Sequence, residues 1–428
     1  MKTAILLTLL LGLTLPCQAA SLLELQKSAI ANRRLIEQYQ ANLDKSSSDV
    51  TIAGSRFLPS VDVSYSVNAL DDSTPQEYKE NSVAYGVITW NLFAGFYDYY
   101  NMRSARLLEK AHHYRLQGIK QDIQLNVALR YLDIYTRQSS LEVAAESHTT
   151  LHRLHEDALN RHSVGLIEKN ELLRFQVDLD NALIALKKAQ AELAKSLQRL
   201  AFETDQPIAL ADLDFREFVQ LPNLDDQQTY QLDMVAKRSE IMTLEEMNRA
   251  IALQVKAAYA GRYPRLDLSG SYRKYEDDYL SGDGTTYDEE LRGQAVLSLN
   301  LFAGFAREAA ISKAHSEKRG ITAELHELKK SLQTELANLF FDYEVSLENA
   351  AVSESSIEQA KENLRITRLK YQEGLEKESD LLDAITNLSR ARYTYVSART
   401  EVFYNYFRIS RAVESLGDPA RQLAVPLP

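Results

Sequence analysis

Six residues, Asn91-Leu92-Phe93-Ala94-Gly95-Phe96, recur letter for letter as Asn300-Leu301-Phe302-Ala303-Gly304-Phe305. Their surroundings recur with them: Pro59 returns as Pro264, 205 positions on, and Leu92 and Gly165 return as Leu301 and Gly374, each 209 on. The chain is two copies of one unit. The second copy has gained about four residues around Gly282, Asp283, Gly284, Thr285 and Thr286, where a surface loop absorbs an insertion at little entropic cost. Between Phe96 and Gly165 the copies match without a gap. A continuous helix enforces that, because one inserted residue turns every later side chain by about 100°.

Each unit carries two stretches of strict apolar and polar alternation. Val61, Val63, Tyr65, Val67 and Ala69 alternate with Asp62, Ser64, Ser66 and Asn68, and Leu266, Leu268, Gly270 and Tyr272 keep the same phase. The partner stretches place Ile88, Trp90 and Leu92, then Leu297, Leu299 and Leu301, on one face. Strands are expected at about 61–69, 85–93, 266–275 and 293–302. A half-buried soluble sheet has this alternation, and so does a strand of nine to eleven residues that crosses a bilayer with one face to lipid. Acidic, turn-rich connections and tyrosines near the strand ends (Tyr78, Tyr85, Tyr97, Tyr275, Tyr279, Tyr287) favour the membrane reading, since aromatic girdles sit at membrane interfaces. Four strands cannot close a pore, and an open edge in lipid leaves backbone groups unsatisfied. A barrel must therefore be shared, and three chains of four strands give twelve.

After Phe96 the spacing changes to that of a helix, with Leu107, Ala111 and Tyr114, then Ile123, Val127, Tyr131 and Ile134, then Leu151, Leu154 and Ala158 on one stripe. No proline interrupts it before His162. At 1.5 Å per residue such a helix reaches roughly 100 Å, more than three times a bilayer core. It matches a gap between membranes. Gly165 ends the helix and Leu166 begins the return through Leu172, Leu173, Val177, Leu183, Leu186 and Leu193; Gly374 and Leu375 do the same in the second unit.

The N-terminus predicts export. Lys2 precedes an apolar run from Ala4 to Leu15, Pro16 breaks it, and Cys17-Gln18-Ala19 supplies a signal-peptidase site, so residues 1–19 read as a signal peptide. Acylation of Cys17 is the competing reading. The chain's one cysteine lies in this segment, so disulfide and thiol chemistry are excluded after cleavage. With 25% charged residues and a net charge of −11, or −12 without Lys2, neither nucleic acid nor polybasic membrane adhesion is expected. After Leu15 no run approaches the ~18 apolar residues of a spanning helix.

His148, His152 and His155 share a helix face, but their second-copy counterparts Ile357, Lys361 and Leu364 bind no metal and no supporting ligand lies nearby in sequence. Asp277, Asp278, Asp283 and Asp288 lack the EF-hand order and read as a solvated loop. No phosphate loop, nucleophile elbow or zinc-protease motif occurs, so no catalytic, cofactor or metal residue is assigned and no cofactor is expected. Energy for any transport has to come from a partner.

The tandem strand pair plus helical hairpin, the Leu-Phe-Ala-Gly-Phe junctions, the Val164-Gly165-Leu166 turn, and Tyr371-Gln372-Glu373-Gly374 followed by Asp380-Leu381-Leu382-Asp383-Ala384 together resemble the TolC-like outer membrane factor family. The resemblance spans nearly the whole chain after the signal. It implies a mainly α fold with a small transmembrane β contribution: a homotrimer with a twelve-stranded barrel in outer membrane lipid, continuous with a periplasmic helical tunnel. It also implies a periplasmic adaptor and an inner membrane ABC or proton-driven transporter as partners. The expected division is 20–203 for repeat 1 with its tip at 164–166, 204–237 for a linker packed around the helices as a belt, 238–416 for repeat 2 with its tip at 373–375, and 417–428 for a tail.

The family places a gate at the periplasmic mouth, ringed by aspartates six and nine residues after the second glycine, here Asp380 and Asp383. Positions three apart share a helix face, and three copies would gather six carboxylates that attract cations. Tyr371 and Glu171 occupy the positions of the family's closing latch. The arginine usual two after the second glycine is Glu376 here, so a different charge pattern, using Arg174, is expected to hold the mouth shut. The tips Val164, Gly165, Leu166, Gly374 and Leu375 are the expected adaptor contacts, with Glu373 making the second tip chemically unlike the first. Gly95 and Gly304 are the expected joints between barrel and helices. Two other classes stay in view: a periplasmic structural or adaptor coiled-coil protein with a soluble sheet, and a helical enzyme with an unrecognised site.

Overall fold

The computed structural model describes residues 20–74, 78–276 and 289–417. The signal segment with Cys17, the aspartate loop from Asp277 to Asp288 and the tail beyond Gly417 lie outside the described residues. Each repeat runs helix, helix, strand, strand, long helix, return helix. Repeat 1 comprises α1 (Leu22–Asn32), α2 (Arg34–Ser55), β1 (Ser60–Ala69), β2 (Glu80–Ala94), α3 (Tyr97–Ser163) and α4 (Lys169–Thr204). Repeat 2 comprises α5 (Gln227–Lys237), α6 (Ser239–Ala258), β3 (Arg265–Glu276), β4 (Glu289–Ser298), α7 (Ala306–Gln372) and α8 (Glu378–Ala412). Both long helices hold 67 residues, so the gap-free match between copies has its cause in unbroken helical phase.

The chain divides into two compact units. One draws its described residues from Met1–Ile36, Gly118–Arg238 and Leu332–Pro428 and is wholly helical apart from its linker and one isolated bridge. The apolar stripe read from the sequence is its core: Ile123, Val127, Tyr131 and Ile134 are buried with Leu200, Phe403 and Phe407. The linker after α4 enters this core through Phe218, whose ring lies 5.5 Å from Tyr131 and 4.9 Å from Phe403. The Tyr131 hydroxyl donates to the Asp214 carbonyl and Arg399 donates to the carbonyls of Phe218 and Val219, so the linker's backbone acceptors are satisfied by side chains of the helices. The tyrosine pays for its burial with a hydroxyl pKa pushed well above the ordinary value, desolvation being the main cause. Buried Arg411 is neutralised by Asp122 at 2.7 Å and Glu414 at 3.4 Å.

The other unit, Glu37–Gln117 with Ser239–Ser331, holds the sheet. Its four strands form an antiparallel meander in the order β1-β2-β3-β4. The two hairpins share one register. Ser60 faces Thr89 in the first, and their counterparts Arg265 and Ser298 face each other in the second. The register sorts the chemistry. Val61, Val63 and Tyr65 lie beside Ile88, Gly86 and Ala84, and these beside Gly270, Tyr272 and Lys274, so one face is apolar across the sheet except at its Lys274 end. Leu268, Leu266 and Tyr272 continue that face onto Ala295, Leu297 and Leu291 of β4. The opposite face is mostly polar, with Asp62, Ser64, Asn68, Asn91, Asp267, Ser269, Arg273, Arg292 and Gln294, and is interrupted by Val83, Tyr85, Val87 and Val296. No helix covers the apolar side: Val63 is 83% exposed and Leu291 84%. A soluble sheet buries its apolar face, which counts against the periplasmic adaptor reading.

Two strand limits differ from the sequence reading. β2 begins at Glu80 rather than near 85, because its first residues pair with Ala69 and Asn68 across the hairpin. β4 covers Glu289–Ser298 rather than 293–302, so Leu299 and Leu301 lie beyond it. Residues Trp90–Ala94 of β2, the counterparts of that missing end, pair only with β3, through a bulge between Asn91 and Phe93. The next position on β3 would be Pro264, which has no N–H to donate.

Candidate functional site at the hairpin tips

Both hairpins turn by the same device. The Leu166 N–H donates to the Arg161 carbonyl at 2.9 Å and the Gly165 N–H to the His162 carbonyl at 3.0 Å, which is a Schellman motif. Leu375 to Lys370 at 2.8 Å and Gly374 to Tyr371 at 3.1 Å reproduce it. The motif needs a left-handed residue, and Gly165 and Gly374 have φ of 74° and 72°. Beside the glycines the chain presents apolar side chains to solvent: Val164 before the first, Leu166 after it at 71% exposed, and Leu375 after the second at 75%. The turn fixes where these leucines point, and nothing among the described residues covers them.

Just inside the tips the four helix ends close on one apolar cluster, with Leu151 and Ala158 of α3, Phe175 of α4, Leu364 of α7 and Leu381, Leu382 and Ile385 of α8. Tyr371 lies against it, its ring 6.3 Å from Phe175 and the Arg161 guanidinium 5.1 Å from its face. Burial holds the Tyr371 hydroxyl above its usual pKa, an effect that Arg161 opposes. Glu171 is also pushed up, first by burial and then by the charges of Glu378 and Glu168, with Arg161 and Arg174 pulling the other way. Tyr371 and Glu171 thus meet around one arginine.

Asp380 and Asp383 sit one turn apart on α8, and both are exposed. Asp380 additionally accepts from the Lys377 N–H at 3.3 Å, capping the first turn of α8. Asp383 faces Asp178 of α4, whose carboxyl is held above its ordinary value by burial first and by Asp383 second, against a hydrogen bond from Asn181. Together with Leu173, Arg174, Val177 and Leu382, Asp178 and Asp383 line an open groove between α4 and α8.

The departure at Glu376 has a local explanation. Glu376 is taken by Lys370 at 2.9 Å, closing its own turn, while Arg174 reaches across to the nearly buried Glu378 at 2.6 Å. The link between α4 and α8 therefore runs from Arg174 to Glu378. Sequence reasoning named Arg174 but missed Glu378 and Arg161. Aligning the repeats carries the signal: Lys169 corresponds to Glu378 and Arg174 to Asp383, two charge reversals on facing helices, while Arg161 and Lys370 keep a cation at one position.

The joints Gly95 and Gly304 have φ of 63° and 59°, and the following Phe96 and Phe305 are left-handed too, at 70° and 64°. Two successive left-handed residues make the bend from strand to helix, where glycine alone had been expected to absorb it. The cost at each phenylalanine, about 1–2 kcal/mol, is offset by an edge-to-face ring contact repeated in both copies, Phe93 to Phe96 at 5.1 Å and Phe302 to Phe305 at 5.5 Å.

Among the described residues no cluster of three histidine, cysteine or acidic side chains could hold a metal ion, and His152 is instead 3.6 Å from Glu156.

The sequence matches the model of the outer membrane efflux protein family over residues 25–203 and 236–413. It is 22% identical to outer membrane protein TolC of Escherichia coli K12, the match covering 96% of this chain and 87% of TolC. It is 25% identical to protein CyaE of Bordetella pertussis, over 93% of this chain and 84% of CyaE. Its fold superposes on the open state of the outer membrane channel MtrE of Neisseria gonorrhoeae with a TM-score of 0.77 at 17% identity, over 94% of this chain and 90% of that one. With a match to both repeats, tip to joint, the chain belongs to the outer membrane efflux protein family.

Proposed function

We propose that three copies of this chain assemble into one outer membrane exit duct, through which an inner membrane transporter, ABC-type or proton-driven, passes its cargo by way of a periplasmic adaptor. The single observation that carries this reading is the sheet: its apolar face runs uncovered across all four strands, its other face is predominantly polar, and its two edge strands are open among the described residues. In lipid such a sheet is stable only when closed, and twelve strands from three chains close it with the apolar face to lipid and the polar face to water. The 67-residue helices, about 100 Å long at 1.5 Å per residue, reach from that membrane into the periplasm.

The tips are assigned two tasks. Val164, Gly165, Leu166, Gly374 and Leu375 contact the adaptor, since exposed leucines on a rigid turn bind by burial at about 25 cal/mol per Å2. Asp380 and Asp383 from three copies ring the mouth and draw cations, while Arg161 of α3, Tyr371 of α7 and Glu171 of α4, with the Arg174–Glu378 pair between α4 and α8, hold the four helix ends together in the closed state. The purified protein should run as a heat-modifiable trimer from outer membrane fractions and should conduct ions in a planar bilayer. A monomer recovered from the soluble periplasmic fraction would sink the reading.

A further inference from the structure

Just inside the tips, α3 and α7 border a cavity of about 540 Å3 whose charge is unlike that of the chain around it. Arg153, Arg161 and Arg368 line it against the single carboxylate of Asp157, and its other lining residues are neutral. Three guanidiniums and one carboxylate leave +2, in a chain whose net charge is −11. The chain itself does little for these arginines. Among the described residues neither Arg153 nor Arg368 forms an ion pair, and the Arg368 Nε is buried with no hydrogen-bond partner. Arg161 is set against the Tyr371 ring at 5.1 Å. A buried N–H without an acceptor is costly, and like charges gathered around one space repel. An anion among them answers both costs.

The repeats do not share this arrangement. The counterparts of Arg153, Arg161 and Arg368, 209 positions away, are Glu362, Lys370 and Leu159, and Glu362 is already held by Arg365 at 2.8 Å. The arginine set is therefore no by-product of the duplication. The cavity's size falls in the range of small-molecule sites, about 300–1,000 Å3, and is well beyond what a lone tetrahedral ion fills. Leu154 and Leu381 give it an apolar wall beside the arginines. We infer that it binds a small organic dianion of the phosphomonoester class, with the phosphate on Arg153 and Arg368 and the organic body against Leu154 and Leu381. Guanidinium forks match phosphate oxygens in pairs, and a dianion cancels the +2 of the lining. A ligand so held joins α3 to α7 beside the Arg161–Tyr371 contact and adds a fastening to the closed mouth. The effect on the mouth rests on the duct reading; binding itself does not, because every lining residue comes from one chain.

Isothermal titration of phenyl phosphate into the detergent-solubilised protein tests the site. Saturable binding with one ligand per chain is expected, weaker for inorganic phosphate, which lacks the apolar body, and weaker as sodium chloride is added. Arg368→Gln should weaken phenyl phosphate about tenfold, and Arg368→Lys, which keeps the charge but not the fork, by less. Asp157→Asn should tighten it about threefold, because an exposed like charge leaves the lining. No saturable binding at about 10 mM probe, or affinities that Arg368→Gln and Asp157→Asn leave unchanged, would overturn the inference. Should Arg368→Gln fail to fold, the exposed Asp157→Asn decides alone, and an unchanged affinity there counts against the site. A protein that binds no phosphate ester but loses capture of its adaptor on Arg368→Gln would also overturn it, assigning these arginines to a carboxylate of the adaptor. In planar bilayers, phenyl phosphate on the periplasmic side should lower the wild-type conductance and leave that of Arg368→Gln unaffected; binding without such a change would keep the site and remove its part in closing the mouth. A protein that proves monomeric yet binds phenyl phosphate would take down the duct reading and leave this site standing.

Discussion

Repeat 1 and repeat 2 differ in opposite ways at their two ends. At the membrane end the letters are the same and the surroundings differ: a Cβ on Gly95 would meet the Ala260 carbonyl, and one on Gly304 would meet nothing among the described residues. At the tip the backbone is the same and the letters differ: both turns are Schellman motifs with leucine after glycine, but Val164 is matched by Glu373 and the neighbouring charges are reversed. Identical sequence in unequal surroundings points to a surface completed by another copy of the chain. Unequal sequence on one backbone points to partners, or tasks, that are not equivalent.

The largest effect expected from breaking the symmetry of the tips is loss of transport. Leu166→Asp should abolish export in a cell-based assay while leaving trimers intact on a gel, and Leu375→Asp should reduce it less, because the second tip already carries Glu373 and Glu376. Equal losses would mean that the adaptor does not distinguish the tips. Next in size is the latch. Arg174→Ala strands the nearly buried Glu378 carboxylate, at a cost of about 1–2 kcal/mol once the exposure of the arginine is allowed for, and should raise open-state occupancy about tenfold. Lys370→Ala, which breaks only the local pair with Glu376, should leave conductance within about twofold.

The joints provide a comparison of similar magnitude. Gly95→Ala and Gly304→Ala both force a side chain into left-handed φ, at about 1–2 kcal/mol each. Thermal melts of the trimer should show equal losses if a neighbouring copy covers Gly304; a markedly milder Gly304→Ala would mean that its surroundings stay open. The smallest effect is that of pH. Glu171 has a pKa above its ordinary 4.5 in the closed packing, so this packing holds more protons than the opened tip. Its contribution is complete below 4.5 and fades as pH rises through the raised value. Conductance should therefore fall on acidification toward 4.5, and Glu171→Gln should flatten that part of the profile, with Glu378, Glu168, Arg161 and Arg174 as the charges that set it.

Much of this was legible in the sequence, for physical reasons that also mark where legibility ends. Period-two alternation located all four strands, since each carries its own apolar face, and the gap-free repeat located α3 and α7. The extent of β4 was not legible. Leu299 and Leu301 alternate as a strand should, but a strand forms only where its backbone finds a partner, and no strand among the described residues pairs with them. The helices before each strand pair passed unnoticed, although α2 carries Ile36, Tyr39, Leu43 and Val50 at helical spacing; Ser46 is its one buried residue within the chain. At the tips the turn glycines and the charged positions could be read, whereas the pairing of Arg174 with Glu378 and the seat of Tyr371 on Arg161 depend on how four helix ends meet.

The most direct test of the central claim is single-channel recording from the purified trimer in a planar lipid bilayer. The account predicts discrete, cation-selective steps of small conductance for the wild type, and a stepwise increase when Glu171 and Tyr371 are truncated together to alanine. No steps at all, or a conductance that the double truncation leaves unchanged, would contradict it.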